Sequence, residues 1–302
     1  MVFKRHNFFK YLFRFSSLLV LFLIFLPAAT SLAEDDGSSF AGNPVMADNS
    51  LVPYGRVIFQ INGQLPRQIY IVGQTHRSAL TRESRPDVIR VQAQIYRIGE
   101  WLIREQKVGM LLPEGFFQRP PGKDSAPALI ESKTSQLDNR SLEAMLGDTR
   151  RFVNADLLLN NSYHVSLRQV ENERLYRDAY QLLREASRNG NLTARARLED
   201  LQVERTAFML QNIPDVVEEA FTAGRIENCK AMFTIGLGHV REIINFLQNG
   251  FLRVPVNSDL RQERIKSARL KLLERGYGVT VIIPKAVVEN EQLLALARLE
   301  VR

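Results

Sequence analysis

The segment Ile69-Tyr70-Ile71-Val72-Gly73-Gln74-Thr75-His76 constrains this chain more than any other. Its β-rich apolar run reads as a buried strand that stops at a glycine and sets a histidine three residues later. The same grammar returns at Ala231-Met232-Phe233-Thr234-Ile235-Gly236-Leu237-Gly238-His239. Between the two, Val108-Gly109-Met110-Leu111-Leu112-Pro113-Glu114-Gly115 is a third apolar strand, and it ends on a carboxylate. Open α/β sheets gather ligands and catalytic groups beyond the carboxyl ends of their strands. If these strands run parallel, His76, Glu114 and His239 converge. Chance is a weak explanation. With 17 glycines in 302 residues, two of the three histidines beyond the amino-terminal segment would carry that glycine in roughly one sequence in a hundred.

The first 33 residues read as a signal peptide. Lys4, Arg5, Lys10 and Arg14 form a basic start, Leu18 to Leu26 is an unbroken apolar run, and Ser31-Leu32-Ala33 supplies a small-x-small cleavage pattern. The apolar run is short for a membrane span, which needs about 20 residues. An uncleaved anchor is the alternative, and through it alone would this chain meet a membrane. Export to the periplasm or the medium is therefore expected. Without this segment 36 basic residues face 33 acidic ones, a net charge of +3. No basic patch with aromatic platforms stands out, so nucleic acid is not an expected partner.

Residues 34–50, rich in Asp, Gly, Ser and Asn, read as a disordered linker, and 51–302 as one α/β domain. Arg56–Ile61 and Gln68–Val72 flank Asn62-Gly63, a hairpin signal. A helix is expected from Ser84 to about Glu105, with Pro86 in its first turn and Val88, Val91, Ile95, Ile98 and Leu102 on one face. The following strand, Val108–Leu112, completes a β-α-β unit that favours a parallel pair. A Pro/Gly-rich loop at 118–127 follows Glu114 directly, as a substrate rim or a solvated connector.

Further on, short helices are expected at Ser141–Leu146 and Asp156–Leu159, and a strand at Tyr163–Val170 that contains His164 and leads to Glu171. Two helices, Glu173–Ser187 and Thr193–Gln211, are separated by Gly190, and Pro214 stops the second. Charges alternating in sign along Ala194–Arg205 read as a solvated helix face. This block, about 173–224, looks like a helical insertion between sheet halves. Then come a strand at Ala231–Ile235, a helix at Val240–Asn249, a strand at Phe251–Val256, a helix at Ser258–Arg275 and a strand at Tyr277–Ile283. The fold class is α/β, a mixed and largely parallel central sheet flanked by helices.

A lone histidine on an apolar element is usually a core residue donating to a carbonyl. Two after matched strands, with Glu114 between, suggest a catalytic or ligand role instead. Glu114 ends an apolar strand, where a charge is costly unless paired or metal-bound. Two imidazoles and one carboxylate form a zinc-type ligand set with room for water, and manganese or cobalt fit the same donors. Gly73 and Gly236 would let the chain bend off the strand and let a cofactor approach the backbone. Gly236-Leu237-Gly238 lacks the third glycine of a dinucleotide loop. Glu171 is a further catalytic candidate at the same edge if its strand is parallel, and His164 reads as structural. Cys229, the sole cysteine, reads as a small buried residue.

Two Gly-x-x-His motifs and a strand-borne glutamate resemble the Tiki/TraB superfamily, which includes GumN-type, erythromycin-esterase-like and ChaN-like haem-binding proteins. The matching pieces are Gly73-Gln74-Thr75-His76, Leu112-Pro113-Glu114-Gly115 and Gly236-Leu237-Gly238-His239, within roughly residues 55–285. The Tiki-type resemblance implies a metal-dependent hydrolase of peptidase type, in which His76, Glu114 and His239 hold a divalent metal whose bound water attacks a carbonyl. The esterase-like branch implies a metal-free alternative in which histidine and glutamate activate water on a small ester or amide. The ChaN-like branch implies haem binding, which would want an exposed axial ligand at an apolar surface.

Overall fold

A computed structural model of the chain describes residues 54–75, 85–118, 137–148, 153–189, 191–256 and 264–297. The expected leader at 1–33, the linker at 34–50, His76 and all but Gln118 of the 118–127 loop lie outside the described residues. No described helix is long and apolar enough to cross a membrane.

The core is a six-stranded sheet. Its strands are β1 (Gly55–Ile61), β2 (Gln68–Gln74), β3 (Met110–Pro113), β4 (Ser166–Leu167), β5 (Lys230–Gly236) and β8 (Gly278–Pro284), in spatial order β1-β8-β2-β5-β3-β4. Only β1 is antiparallel to its neighbour; every other pairing is parallel. The mixed, largely parallel α/β architecture is therefore as the sequence implies. The central strands β2, β3, β5 and β8 are buried along their lengths on both faces, which explains their near-continuous apolar runs.

Helix α1 (Pro86–Arg104) starts with Pro86 in its first turn and buries Val88, Val91, Ile95, Ile98 and Leu102. It leads from β2 to β3, yet these strands are not neighbours, because β5 lies between them. The expected parallel pair is thus two parallel strands spaced by a third. Helices α2 (Asn139–Gly147) and α3 (Ala155–Tyr163) pack on α1. Asp138 and Asn154 cap them by accepting from the backbone N–H groups of Ser141 and Leu157.

Four local expectations fail for identifiable reasons. No hairpin joins β1 to β2, because β8 inserts between them and Val279 stands in register with both Ile61 and Ile69. Asn62 does turn the chain, with φ 53°; Gln68 Nε2 then donates to the carbonyls of Asn62, Gly63 and Leu65 and holds a wider arch over the inserted strand. The strand expected at Tyr163–Val170 shrinks to Ser166–Leu167, and exposed His164 is the left-handed C-cap of α3.

Helix α4 (Glu173–Asn189) is followed by α5 (Leu192–Thr222), which continues past Pro214. A proline inside a helix costs about 3 kcal/mol. Burying Met209, Leu210, Ile213, Val217 and Ala220 at helical spacing outweighs that loss at about 1.5–3 kcal/mol for each large side chain. These two helices form the expected insertion between β4 and β5.

The carboxy-terminal third holds the fourth correction. Helix α6 (Val240–Asn249) ends at Gly250 with φ 68°, and β6 (Phe251–Val256) follows. In place of a helix over Ser258–Arg275 stands β7 (Arg264–Arg269), antiparallel to β6 in a separate two-stranded sheet, then one turn, α7 (Lys271–Glu274). The two strands pair residue for residue, from Phe251 opposite Arg269 to Val256 opposite Arg264. After β8 come α8 (Lys285–Val288) and α9 (Glu291–Leu296).

Candidate active site

Parallel pairing of β3 with β5 continues one residue past the strand, since Glu114 N donates to Thr234 O at 2.9 Å. That step brings the Glu114 carboxylate beside the end of β5, where Gly236 N donates to its Oε2 at 2.6 Å. A single 3-10 turn over Leu237–His239 then carries His239 to the start of α6. Its Nε2 faces Glu114 Oε1 at 3.5 Å. Two of the strand-end residues expected from sequence are therefore together.

Gly73 explains how the turn fits. A Cβ there would stand 2.9 Å from Leu237 Cδ2 and 3.3 Å from Val240 Cγ2. The missing side chain lets the start of α6, and with it His239, pack directly on β2. Leu237, Val240 and Ile283 fill the space where a side chain at Gly73 would stand, so the glycine has a packing reason. Gly236 contributes its N–H to Glu114.

On the other ring edge, His239 Nδ1 lies 2.6 Å from Thr206 Oγ1. The Thr206 hydroxyl also lies 2.7 Å from Gln202 O, four residues back on α5. That carbonyl takes the only hydroxyl proton, so Nδ1–H donates to Thr206 Oγ1. In the neutral ring Nε2 is then the nitrogen with a lone pair, turned toward Glu114.

Arg205, beside Thr206, ties two carboxylates together. Its Nη2 lies 3.0 Å from Glu114 Oε1, and its Nε donates to Glu171 Oε1 at 2.6 Å. The arginine side chain is 4% exposed and that of Glu171 1%. Gly115 N donates to Glu171 Oε2 at 2.8 Å, and the Tyr176 ring lies 5.3 Å from the guanidinium carbon. Burial pushes the Glu171 carboxyl up; Arg205 opposes the shift, while the negative charge of Glu114 adds to it. Glu171 thus joins the cluster, as its position just beyond β4 suggested.

Beneath the same strand ends lies a second polar group. Gln74 is in register with Gly236, and its Oε1 accepts from Gln92 Nε2 at 3.2 Å. Gln92 Oε1 accepts from Ala155 N at 3.0 Å. Thr234 Oγ1 lies 3.0 Å from both oxygens of Asp156, a wholly buried carboxyl that burial pushes up to about 6 against the opposing Thr234 hydrogen bond. Thr75 closes this row at the end of β2. His76, the next residue, lies outside the described residues, so of the expected three Glu114 and His239 are the two placed.

Among the described residues, the donors at the Glu114–His239 end do not by themselves suit a divalent cation. Glu114 Oε1 already faces a guanidinium and Oε2 a backbone N–H, and a positive Arg205 beside the coordinating oxygen would repel the ion. Among the described residues no three His, Cys, Asp or Glu side chains gather as a metal set.

Arg205 and Thr206 escaped the sequence reading. In the sequence Arg205 belongs to the alternating charges that read as a solvated face. Its spacing held the clue, since Arg205 lies four and eight residues before Met209 and Ile213 on the buried stripe of α5. An arginine on an apolar stripe implies a buried partner.

Comparison with family models, with curated protein sequences and with solved structures finds no match.

Proposed function

We propose that this chain is a hydrolase that activates water at the His239–Glu114 pair, without a metal, for attack on a peptide or a small ester or amide. The observation that carries the proposal is the placement of His239: Nδ1 is held 2.6 Å from Thr206 Oγ1, and Nε2 faces the Glu114 carboxylate at 3.5 Å, a contact that becomes attractive once Nε2 has taken a proton. Thr206 selects the tautomer that leaves Nε2 able to take a proton. The facing carboxylate stabilises the imidazolium that results.

In the proposed reaction Nε2 removes a proton from water as its oxygen bonds to the substrate carbonyl carbon. The tetrahedral intermediate then collapses, and the imidazolium returns the proton to the departing alcohol or amine. Arg205 keeps the Glu114 carboxylate oriented throughout and balances the neighbouring charge of Glu171. Among the chemistries that the Tiki/TraB resemblance implies, this matches the esterase-like one. The metal-dependent version would need His76 and displacement of Arg205 from Glu114. The haem alternative draws no support from the cavity beside Glu171, whose wall is mostly charged and amide side chains. With a signal peptide at 1–33, the reaction would take place in the periplasm or outside the cell.

A panel of chromogenic acyl esters and peptide anilides tests this reading. Glu114→Gln should lower kcat by about a hundred-fold or more, the range of acid–base contributions, with KM little changed. Equal turnover in variant and parent would overturn the proposal.

A further inference from the structure

Beside the cluster, on the far side of Glu171, a cavity of about 440 Å³ opens between the β4–α4 turn and one face of α5. That volume suits a small molecule or one end of a larger one. Its wall includes Arg168, Glu171, Asn172, Phe208, Asn212 and Val216. The carboxylates around it are already balanced. Glu171 is held by Arg205, Glu219 by Arg225 at 2.6 Å, and Glu173 lies 3.9 Å from Arg177. Arg168 differs. It follows β4 on the sheet edge, anchored by its backbone N–H to Leu111 O at 3.0 Å, and its buried Nε has no hydrogen-bond partner. An unmet donor on a charged group is costly; with Nε itself enclosed, a ligand in the cavity would meet the guanidinium through its Nη groups. The side chain also makes no ion pair among the described residues, although Asn212 and Gln169 beside it are engaged with Val170 O and Glu171 O.

We infer that this cavity is a subsite for an anionic group, a carboxylate or a phosphoryl group, recognised by the Arg168 guanidinium. A planar fork of N–H donors matches either anion in a two-point contact. Glu171 lines the cavity and is bonded to Arg205, which in turn reaches Glu114, so an anion held here is separated from the proposed reaction by that ion-paired row. The substrate class is then an ester or amide that bears a negative charge. This last step rests on the proposed hydrolase function; the binding itself does not.

Calorimetric titration of the full chain with succinate and, separately, inorganic phosphate tests the subsite without turnover. One of the two should bind with millimolar or better affinity, and the arm that binds tells carboxylate from phosphoryl recognition. Arg168→Gln should weaken that binding at least about ten-fold. Val216→Phe, which narrows the cavity from α5 and leaves Arg168 intact, should weaken it as well. Absence of binding by both probes, or binding unchanged in both variants, overturns the subsite. Binding that follows Arg168 in a protein without hydrolase turnover supports the subsite and removes the reaction instead.

Discussion

Arg205 Nη2 on α5 lies 3.0 Å from Glu114 Oε1 at the end of β3, although 91 residues separate the two in the chain. This contact fastens the helical insertion to the strand ends and neutralises a carboxylate that burial alone would disfavour. It also brings the neighbouring Thr206 to His239. One residue pair thus links the fold of the insertion to the chemistry of the sheet.

Removing that cation should therefore be severe. Arg205→Met takes the guanidinium away from the buried Glu171, and the expected loss is about 3–5 kcal/mol. The Glu171 carboxyl, already pushed up by burial, would bind a proton still more tightly in the folded variant than in the unfolded chain once the opposing guanidinium is gone. The loss should accordingly shrink as pH falls toward about 4. Urea denaturation at two pH values checks this, and a loss independent of pH would contradict the assignment.

In the proposed reaction Thr206 positions His239 through the contact at Nδ1. Thr206→Val should lower kcat about ten-fold or more with a small effect on KM, as loss of an orienting hydrogen bond does. Thr206→Ser restores the hydroxyl and should restore most of the rate. The alkaline or acid limb of the pH–rate profile should move in the valine variant, which a purely structural change would leave in place.

Asp156 predicts a distinct pH dependence. Its folded value of about 6 lies above the ordinary 3.8, so between these the folded protein holds a proton that the unfolded chain has released. Stability from this group is present below the lower value and lost as pH rises through the upper one. Asp156→Asn should gain on the parent by up to about 3 kcal/mol between about pH 4 and 7. A stability difference that stays constant over that window, followed by chemical denaturation, would contradict the assignment.

Gly73→Ala tests the close approach of β2 to α6. The added methyl must displace Leu237 or Val240, and overpacking of this kind costs about 1–3 kcal/mol. Since Leu237 precedes His239 by two residues, kcat should fall along with thermal stability. A stable, fully active variant would show that the packing there is loose.

Much of this arrangement was legible in the residues. The apolar runs before Gly73, Glu114 and Gly236 marked buried parallel strands, and parallel pairing then dictated that Glu114 and His239 share an edge. Glu171 followed by the same logic. What escaped depended on contacts between distant segments. Nothing local to Asn62-Gly63 announces that β8 will enter between β1 and β2. Nor does the segment before Arg269 reveal that β6 offers an edge to pair with. Pro214 and Arg205 misled for a common reason, because a local propensity, helix-breaking or solvation, gave way to the buried stripe of α5.

The central claim is that His239 activates water without a metal, and chelator-treated protein of verified low metal content tests it most directly. Steady-state hydrolysis of the best ester of the panel should persist in that protein and fall about a hundred-fold or more in His239→Ala. Added zinc, manganese or cobalt should leave the parent rate unchanged. Activity that disappears on chelation and returns with one of these ions would contradict the account, as would a His239→Ala variant that hydrolyses as fast as the parent.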